Sequence, residues 1–234
     1  MTPALYLFPV PIDNDTPVNR SIPQYNLVPL REIHHFVVEN VRSARRFLKK
    51  CDREIDIDSI EFTVLDEHTS PEEVAPMLRP LEQGKPMGVI SEAGCPAVAD
   101  PGADLVAVAQ RRGLKVVPLV GPSSILLALM GSGFNGQSFA FNGYLPIHQP
   151  ARATKLKEME RRIIRERQTQ IFIETPYRNN RLVTELAASL PGDRLLCVAS
   201  GLTGEHERII TRPLSAWSKT TLDFDKTPAI FLLF

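Results

Sequence analysis

Short apolar runs separated by polar, turn-rich stretches fill the first half of the chain. "ALYLFPV" (Ala4–Val10), "IEFTVL" (Ile60–Leu65), "PMGVIS" (Pro86–Ser91) and "LKVVPLV" (Leu114–Val120) are too short for helices and are predicted as strands. "EIHHFVVENV" (Glu32–Val41) begins as another strand and runs into the amphipathic, basic "RSARRFLKKCDR". The unbroken hydrophobicity of Pro86–Ser91 predicts a strand covered on both faces. Thr16–Pro29 reads as a tract of turn residues. A helix is signposted from Ser70: that serine can N-cap it, Pro71 suits its first position, and Glu73 completes a capping box. Pro76 and Pro80 should shorten or bend it. Asp100 and Pro101 start a further helix that Gly113 can stop.

The second half has a different texture. "SFAFNGYLP" (Ser138–Pro146) is predicted as a strand leading into a proline-rich connector. A charged helix spans about Ala153 to Arg167, with Leu156, Met159, Ile163 and Ile164 on one face. "TQIFIE" is a strand, "RNNRLVTELAASL" a helix closed by "PGD", and "RLLCVAS" a strand. "ERIITRPLSAW" and "TPAIFLLF" complete the strands. Strand–helix alternation predicts a mostly parallel sheet in an N-terminal α/β domain. Consecutive strands predict an antiparallel or mixed sheet in a C-terminal one. The connector at Gly143–Ala153 would put the boundary there.

Composition narrows the class without naming it. The chain has 234 residues, 43% of them hydrophobic, which suits one large or two ordinary globular domains. Lys+Arg and Asp+Glu both number 27, so a nucleic-acid reading must rest on local patches. Cys51, Cys95 and Cys197 are too few and too scattered for a zinc site or a disulfide framework. No apolar run approaches the ~20 residues of a membrane span. The N-terminus reads as a first strand, not a signal peptide. These features predict a cytoplasmic protein with no membrane partner and no metal.

Candidate chemistry concentrates in "SEAGCPAVADPG" (Ser91–Gly102), between a strand and a helix. The loop has neither a P-loop nor a G-x-G-x-x-G pattern, and Glu92 and Asp100 would repel a polyanion. Glu92, Cys95 and Asp100 make no recognisable metal set. A Cys95 nucleophile would need a base from elsewhere, such as His68 or His206; a small residue chosen to fit is the plainer reading. What remains is a cofactor without a leading phosphate, held by exposed backbone at the carboxyl end of a parallel strand. Pro96 and Pro101 would stiffen that loop and lower the ordering cost of binding.

Eight stretches in order resemble the tetrapyrrole (corrin/porphyrin) methylase superfamily, closest to its 16S ribosomal RNA 2′-O-ribose (cytidine) methyltransferase branch. They are "LYLFPVPIDN", "VENVR", "DEHTS", the Ser91–Gly102 loop, "VVPLVGPSS", "FAFNGYLP", "FIETPYR" and "VASGLTGEHE", and they span nearly the whole chain. The resemblance implies two α/β domains, residues 1–120 and 121–234, with S-adenosylmethionine in the cleft between them. By position it implies Pro11, Gly94, Cys95, Val98, Ser123, Ser124, Glu174, Leu202 and Thr203 as cofactor-lining residues. Where relatives of that branch show "PIGN", "EDTR", "SDAG" and "ARELT", this chain has "PIDN", "ENVR", "SEAG" and "ASGLT". Asp13 thus stands for a glycine, Asn40 for a carboxylate, and Ser200–Gly201 for an Arg–Glu pair. A C-terminal extension found in longer members is missing.

The activity so implied is methyl transfer from a sulfonium, in which the protein mainly aligns and desolvates. A ribose hydroxyl would need a base or charge stabilisation. Candidates are Glu39, Arg42, Glu67, His68 and Asp100, although a cap or surface ion pair accounts for each equally well. Basic clusters at Arg42–Lys50, Arg152–Arg167 and Arg178/Arg181 support ribosomal RNA or the small subunit as partner, against the alternative of solvated helix faces. Two other readings stand beside this one: methylation of a small tetrapyrrole-type molecule, and a non-catalytic cofactor-binding relative. The resemblance also implies a homodimer.

Overall fold

The computed structural model describes residues 1–234 and divides into two compact units, Met1–Ser123 and Ser124–Phe234. In the first, β1 (Leu5–Phe8) is followed by α1 (Val18–Ser21), a 3-10 turn at Gln24–Asn26, and α2 (Leu27–Glu32). Then come β2 (His35–Val38), α3 (Val41–Cys51), β3 (Glu61–Val64), α4 (Pro71–Val74), α5 (Arg79–Glu82), β4 (Met87–Ile90), α6 (Gly102–Arg111) and β5 (Val116–Pro118). The second unit runs α7 (Ser124–Ser132), β6 (Phe139–Tyr144), α8 (Ala151–Glu166), β7 (Thr169–Ile173), α9 (Asn179–Ser189), β8 (Leu195–Ser200), β9 (Arg208–Pro213), α10 (Leu214–Trp217) and β10 (Ala229–Leu233).

The first sheet is all parallel, in the order β3-β2-β4-β1-β5. Alternation along β1 serves both faces: Tyr6 and Phe8 pack towards α2 and α3, while Leu5 and Leu7 pack towards α4, α5 and α6. β4 is buried at all four positions, as its unbroken hydrophobicity predicts. Register aligns Phe8, Ile90 and Val38, so the loops leaving β1, β4 and β2 emerge at one level. The second sheet is mixed, β6-β7-β10-β8-β9, with β6 and β7 parallel and the other pairs antiparallel. Trp217, Phe172, Phe231 and Leu214 fill its core under α8, α9 and α10, and the Trp217 indole donates to Leu196 O at 2.9 Å.

Local chemistry explains most boundaries. Asn40 N-caps α3, its side chain accepting from Arg42 N and Ser43 N at 2.9 and 3.2 Å. The Glu73 carboxylate accepts from both the N–H and the hydroxyl of Ser70. Pro76 and Pro80 break the predicted helix into α4, a 3-10 turn at Ala75–Leu78, and α5.

Three expectations need correcting, and one element was not foreseen. The Thr16–Pro29 tract is helical in short turns, because Pro17 and Pro23 sit just before helical segments and Pro29 falls in the first turn of α2, where no N–H is needed. α7, "SILLALMGS", gave no signal because it is apolar all round and lacks a polar stripe. The "ERIITRPLSAW" run is a strand followed by the short α10, with Pro213 at the turn. Gly143–Ala153 lies inside the second unit.

Gly88 of β4 lies under an aromatic stack: a Cβ there would meet the Phe36 ring at 2.3 Å and Phe8 at 3.1 Å. Phe36 is held in turn between Phe8 and Phe62, at ring-centroid distances of 5.9 and 6.3 Å. Gly88→Ala is therefore expected to destabilise the first unit by about 1–3 kcal/mol through overpacking. A lowered urea midpoint at unchanged m-value would show it; an unchanged midpoint would mean the rings shift freely.

Candidate active site

At the carboxyl edge of the first sheet, two loops turn towards each other. Val10, just past β1, exchanges backbone hydrogen bonds with Gly94, just past β4: Val10 N donates to Gly94 O at 2.9 Å and Gly94 N to Val10 O at 3.2 Å. The turn needs φ +68° at Gly94, a conformation L side chains rarely adopt. A Cβ at Gly94 would also point at Pro122 O, 3.4 Å away. Cys95 Sγ donates to that same carbonyl at 3.3 Å, tying the loop to the segment after β5. Burial pushes the Cys95 thiol above its ordinary value, consistent with a packed and unreactive sulfur.

Downstream, Ala97 and Ala99 adopt φ of +64° and +58°. The strain is held by Asp100, whose Oδ1 accepts from Ala97 N and Gly102 N, both at 2.8 Å. Burial raises the Asp100 carboxyl above the usual range, and the two backbone donors pull it partly back. Val98 stands exposed at the tip. Pro11, Gly94, Cys95, Val98 and Asp100 thus come together, with Ser123 on the strand-end segment that follows Pro122.

Glu39 follows β2 at the same edge, and its Oε1 accepts from Glu92 N at 3.3 Å. Its carboxyl is raised mainly by burial, opposed by that backbone bond and reinforced by Asp100 and Glu92. Arg42 lies exposed in the first turn of α3. His68 sits apart from the set, in a self-contained turn after the edge strand β3. There its N–H donates to Asp66 Oδ1 at 2.9 Å, and its exposed ring faces Glu67 at 3.7 Å.

In the second unit, Ile173 and Ala199 both stand opposite Ile230, so β7 and β8 end at one level. Glu174 follows β7. It is buried and accepts from Thr175 N (2.8 Å) and from Arg178 Nε and Nη2 (3.0 and 2.7 Å). Leu202 is buried past β8, and Thr203 (φ +68°) donates its N–H to Glu207 Oε2 at 2.7 Å. Ser124 opens α7.

Arg152 changes character on folding. In the sequence it belongs to a basic helix face; in the structure its side chain is 7% exposed and bound to Glu185 at 2.6 Å, with Glu174 at 3.9 Å. Nothing in a charged helix pattern marks one arginine for burial. Glu92, read in the sequence as a carboxylate that repels phosphate, accepts from Ser43 Oγ at 3.0 Å and lines a cavity.

The altered motif positions keep structural roles. Asp13 accepts from Thr16 Oγ1 at 3.0 Å within its own turn. Asn40 caps α3 as an aspartate would. Gly201 has φ +61°, and a Cβ there would lie 3.1 Å from His206 O.

The first unit thus gathers small-residue loops at the carboxyl edge of a parallel sheet, the edge at which open α/β sheets bind ligands. Residues 30–217 match the tetrapyrrole (corrin/porphyrin) methylases, and the chain belongs to this family of S-adenosylmethionine-dependent methyltransferases. Relatives include the ribosomal RNA small subunit methyltransferase I of Vibrio cholerae, 33% identical over 91% of this chain and 69% of its own length. The protein of the same name from Bacillus subtilis is 32% identical over 90% and 68%. Among solved structures, diphthine synthase (TM-score 0.69, 16% identity, 99% of this chain and 89% of that one) shares the fold. So does the methyltransferase CobJ (TM-score 0.66, 16% identity, 98% and 93%).

The raised carboxyls make a pH prediction. Glu39 and Asp100 keep their protons to higher pH when folded than when unfolded. In that window the folded state binds more protons, so stability is full below the unfolded values and falls as pH rises through the folded ones. Glu39→Gln is expected to flatten the fall measured by urea unfolding from about pH 4 upward. A slope identical to that of the parent would show that Glu39 titrates normally.

Proposed function

We propose that the protein transfers a methyl group to a ribose 2′-hydroxyl of small-subunit ribosomal RNA. The acceptor reading is carried by the relatives: over about nine-tenths of the chain they bear the name ribosomal RNA small subunit methyltransferase I. The cofactor reading rests on the methylase family and on the loop at Gly94, whose left-handed backbone and small side chains bring main chain to the carboxyl edge of the parallel sheet.

On the first unit, Pro11, Gly94, Cys95, Val98 and Ser123 would be the residues that meet S-adenosylmethionine, offering loop backbone, small apolar side chains and one serine hydroxyl at the carboxyl edge of the parallel sheet. When bound, the cofactor supplies an electrophilic methyl on a sulfonium, with a neutral thioether as leaving group. The chain's part is alignment, exclusion of water and a place for the hydroxyl proton. Glu39 suits that last role, being half-buried with a raised carboxyl at the same sheet edge. Arg42 is placed to meet RNA phosphate. With ribosomal RNA as acceptor the protein would act in the cytoplasm, and membership of the methylase family is the ground for reading it as a homodimer. No helix is long and apolar enough to cross a membrane.

Calorimetric titration with S-adenosylmethionine should give saturable micromolar binding, weakened in Val98→Asp, whose exposed side chain can change while the urea midpoint stays within the range of the parent. Transfer of labelled methyl to small-subunit RNA, mapped by resistance of the 2′-O-methylated linkage to alkali, tests the acceptor. Binding without transfer to any ribosomal RNA would make the protein a non-catalytic relative. Transfer to a precorrin-type substrate instead would assign it to small-molecule chemistry.

A further inference from the structure

A cavity of about 330 Å³ opens between α3 and the loops leaving β1 and β4. One wall is cationic: Arg46 and Lys50, one helical turn apart on α3. The opposite wall carries Glu92 and Asp15, the floor is Phe47 and Ile90, and Ser43 joins the two sides through its hydrogen bond to Glu92. Pro11 and Ser91 border the same space, and Ser91 Oγ donates to Gly94 O at 3.4 Å, so the cavity adjoins the Gly94 loop.

The cations of α3 divide by what they touch. Arg45 pairs with Asp58 at 2.8 Å, and Lys49 donates to Arg53 O. Lys50 reaches across to Asn14 O at 2.6 Å, which fixes its ammonium at the cavity rim with donors to spare. The Arg46 side chain, like that of Arg42 at the start of the helix, makes no ion pair or hydrogen bond within the chain, but Arg46 lines the cavity with Asp15 and Glu92 and Arg42 does not. A guanidinium left unpaired beside an ammonium is a phosphate site in search of its anion. The carboxylates opposite can accept from sugar hydroxyls or an exocyclic amine.

Volume and continuity argue for a polymer. The cavity lies at the lower end of the range that seats one small ligand, roughly 300–1,000 Å³. A second hollow of about 780 Å³ shares Asn14, Asp15 and Lys50 with it, giving a neighbouring residue somewhere to go.

We propose that this cavity seats one nucleotide of a single-stranded RNA segment, its phosphate on Arg46 and Lys50 and its sugar facing the Ser43–Glu92 pair. The inference rests on the reading of RNA as acceptor and adds where a nucleotide is gripped. It makes Arg46 a binding residue and Glu92 the carboxylate nearest the ribose.

The test is binding of a short, cytidine-containing single-stranded oligoribonucleotide, and its DNA counterpart, followed by fluorescence anisotropy over a salt series. Arg46→Glu should weaken RNA binding roughly tenfold or more and reduce the log–log salt slope by about 1. Lys85→Glu makes the same charge reversal at an exposed position just before β4, at the opposite edge of the sheet, and should leave the slope unchanged. Glu92→Gln should narrow the preference for RNA over DNA. Unchanged S-adenosylmethionine affinity in each variant shows that the fold survives, and Arg46→Gln gives a milder second case. Equal effects of the Arg46 and Lys85 changes, or no oligoribonucleotide binding by the parent at low salt, would overturn the proposal. Arg46-dependent binding with no methyl transfer to small-subunit RNA would uphold the cavity and overturn the acceptor reading instead.

Discussion

The two hydrogen bonds between Val10 and Gly94 hold together what every other feature of the first unit serves. Parallel strands send all their carboxyl-end loops out at one edge, and loops there would ordinarily diverge to reach their separate helices. Here the β1 and β4 loops close on each other by a short antiparallel bridge before diverging. The closure demands left-handed backbone at Gly94, small residues around it, and an anchor for the strained Ala97–Ala99 turn, which Asp100 supplies through two backbone donors. A carboxylate spent on backbone N–H groups is a structural part first, and its burial follows from that position.

Charge in this protein is organised by burial more than by sequence. Net charge is zero, and the helices carry acid and base intermixed. Folding takes Arg152 and Glu174 out of water, into a network whose remaining members are Glu185 and Arg178. Breaking one such partner would strand its mate in a poorly solvated place. On α3 the opposite happens: Arg45, Lys49 and Lys50 find local acceptors, and Arg46 is left facing open space. An unpaired cation on a structured wall says more about a partner than a count of basic residues does.

The departures from the ribosomal branch at Asp13, Asn40 and Gly201 take on a different weight once placed. Asp13 and Asn40 make local hydrogen bonds that their replacements would share or do without, and Gly201 occupies a left-handed turn beside a carbonyl. These positions shape backbone.

The sequence by itself determined the fold class, the identity of most strands, and the caps at Asn40 and Ser70. These depend on local periodicity and on hydrogen bonds that span three or four residues. It also carried the family, because eight short motifs in order are a linear signal. It did not reveal α7, whose uniform hydrophobicity leaves no stripe to detect, nor the short helical segments that begin after Pro17 and Pro23 in a tract that looks like turns. Only the tertiary structure decided that Arg152 is buried, that Glu92 joins Ser43 across 49 positions, and that Arg46 has no mate. Those outcomes depend on which loops meet at a sheet edge. That is fixed by long-range packing, to which residue type and spacing along one chain are blind.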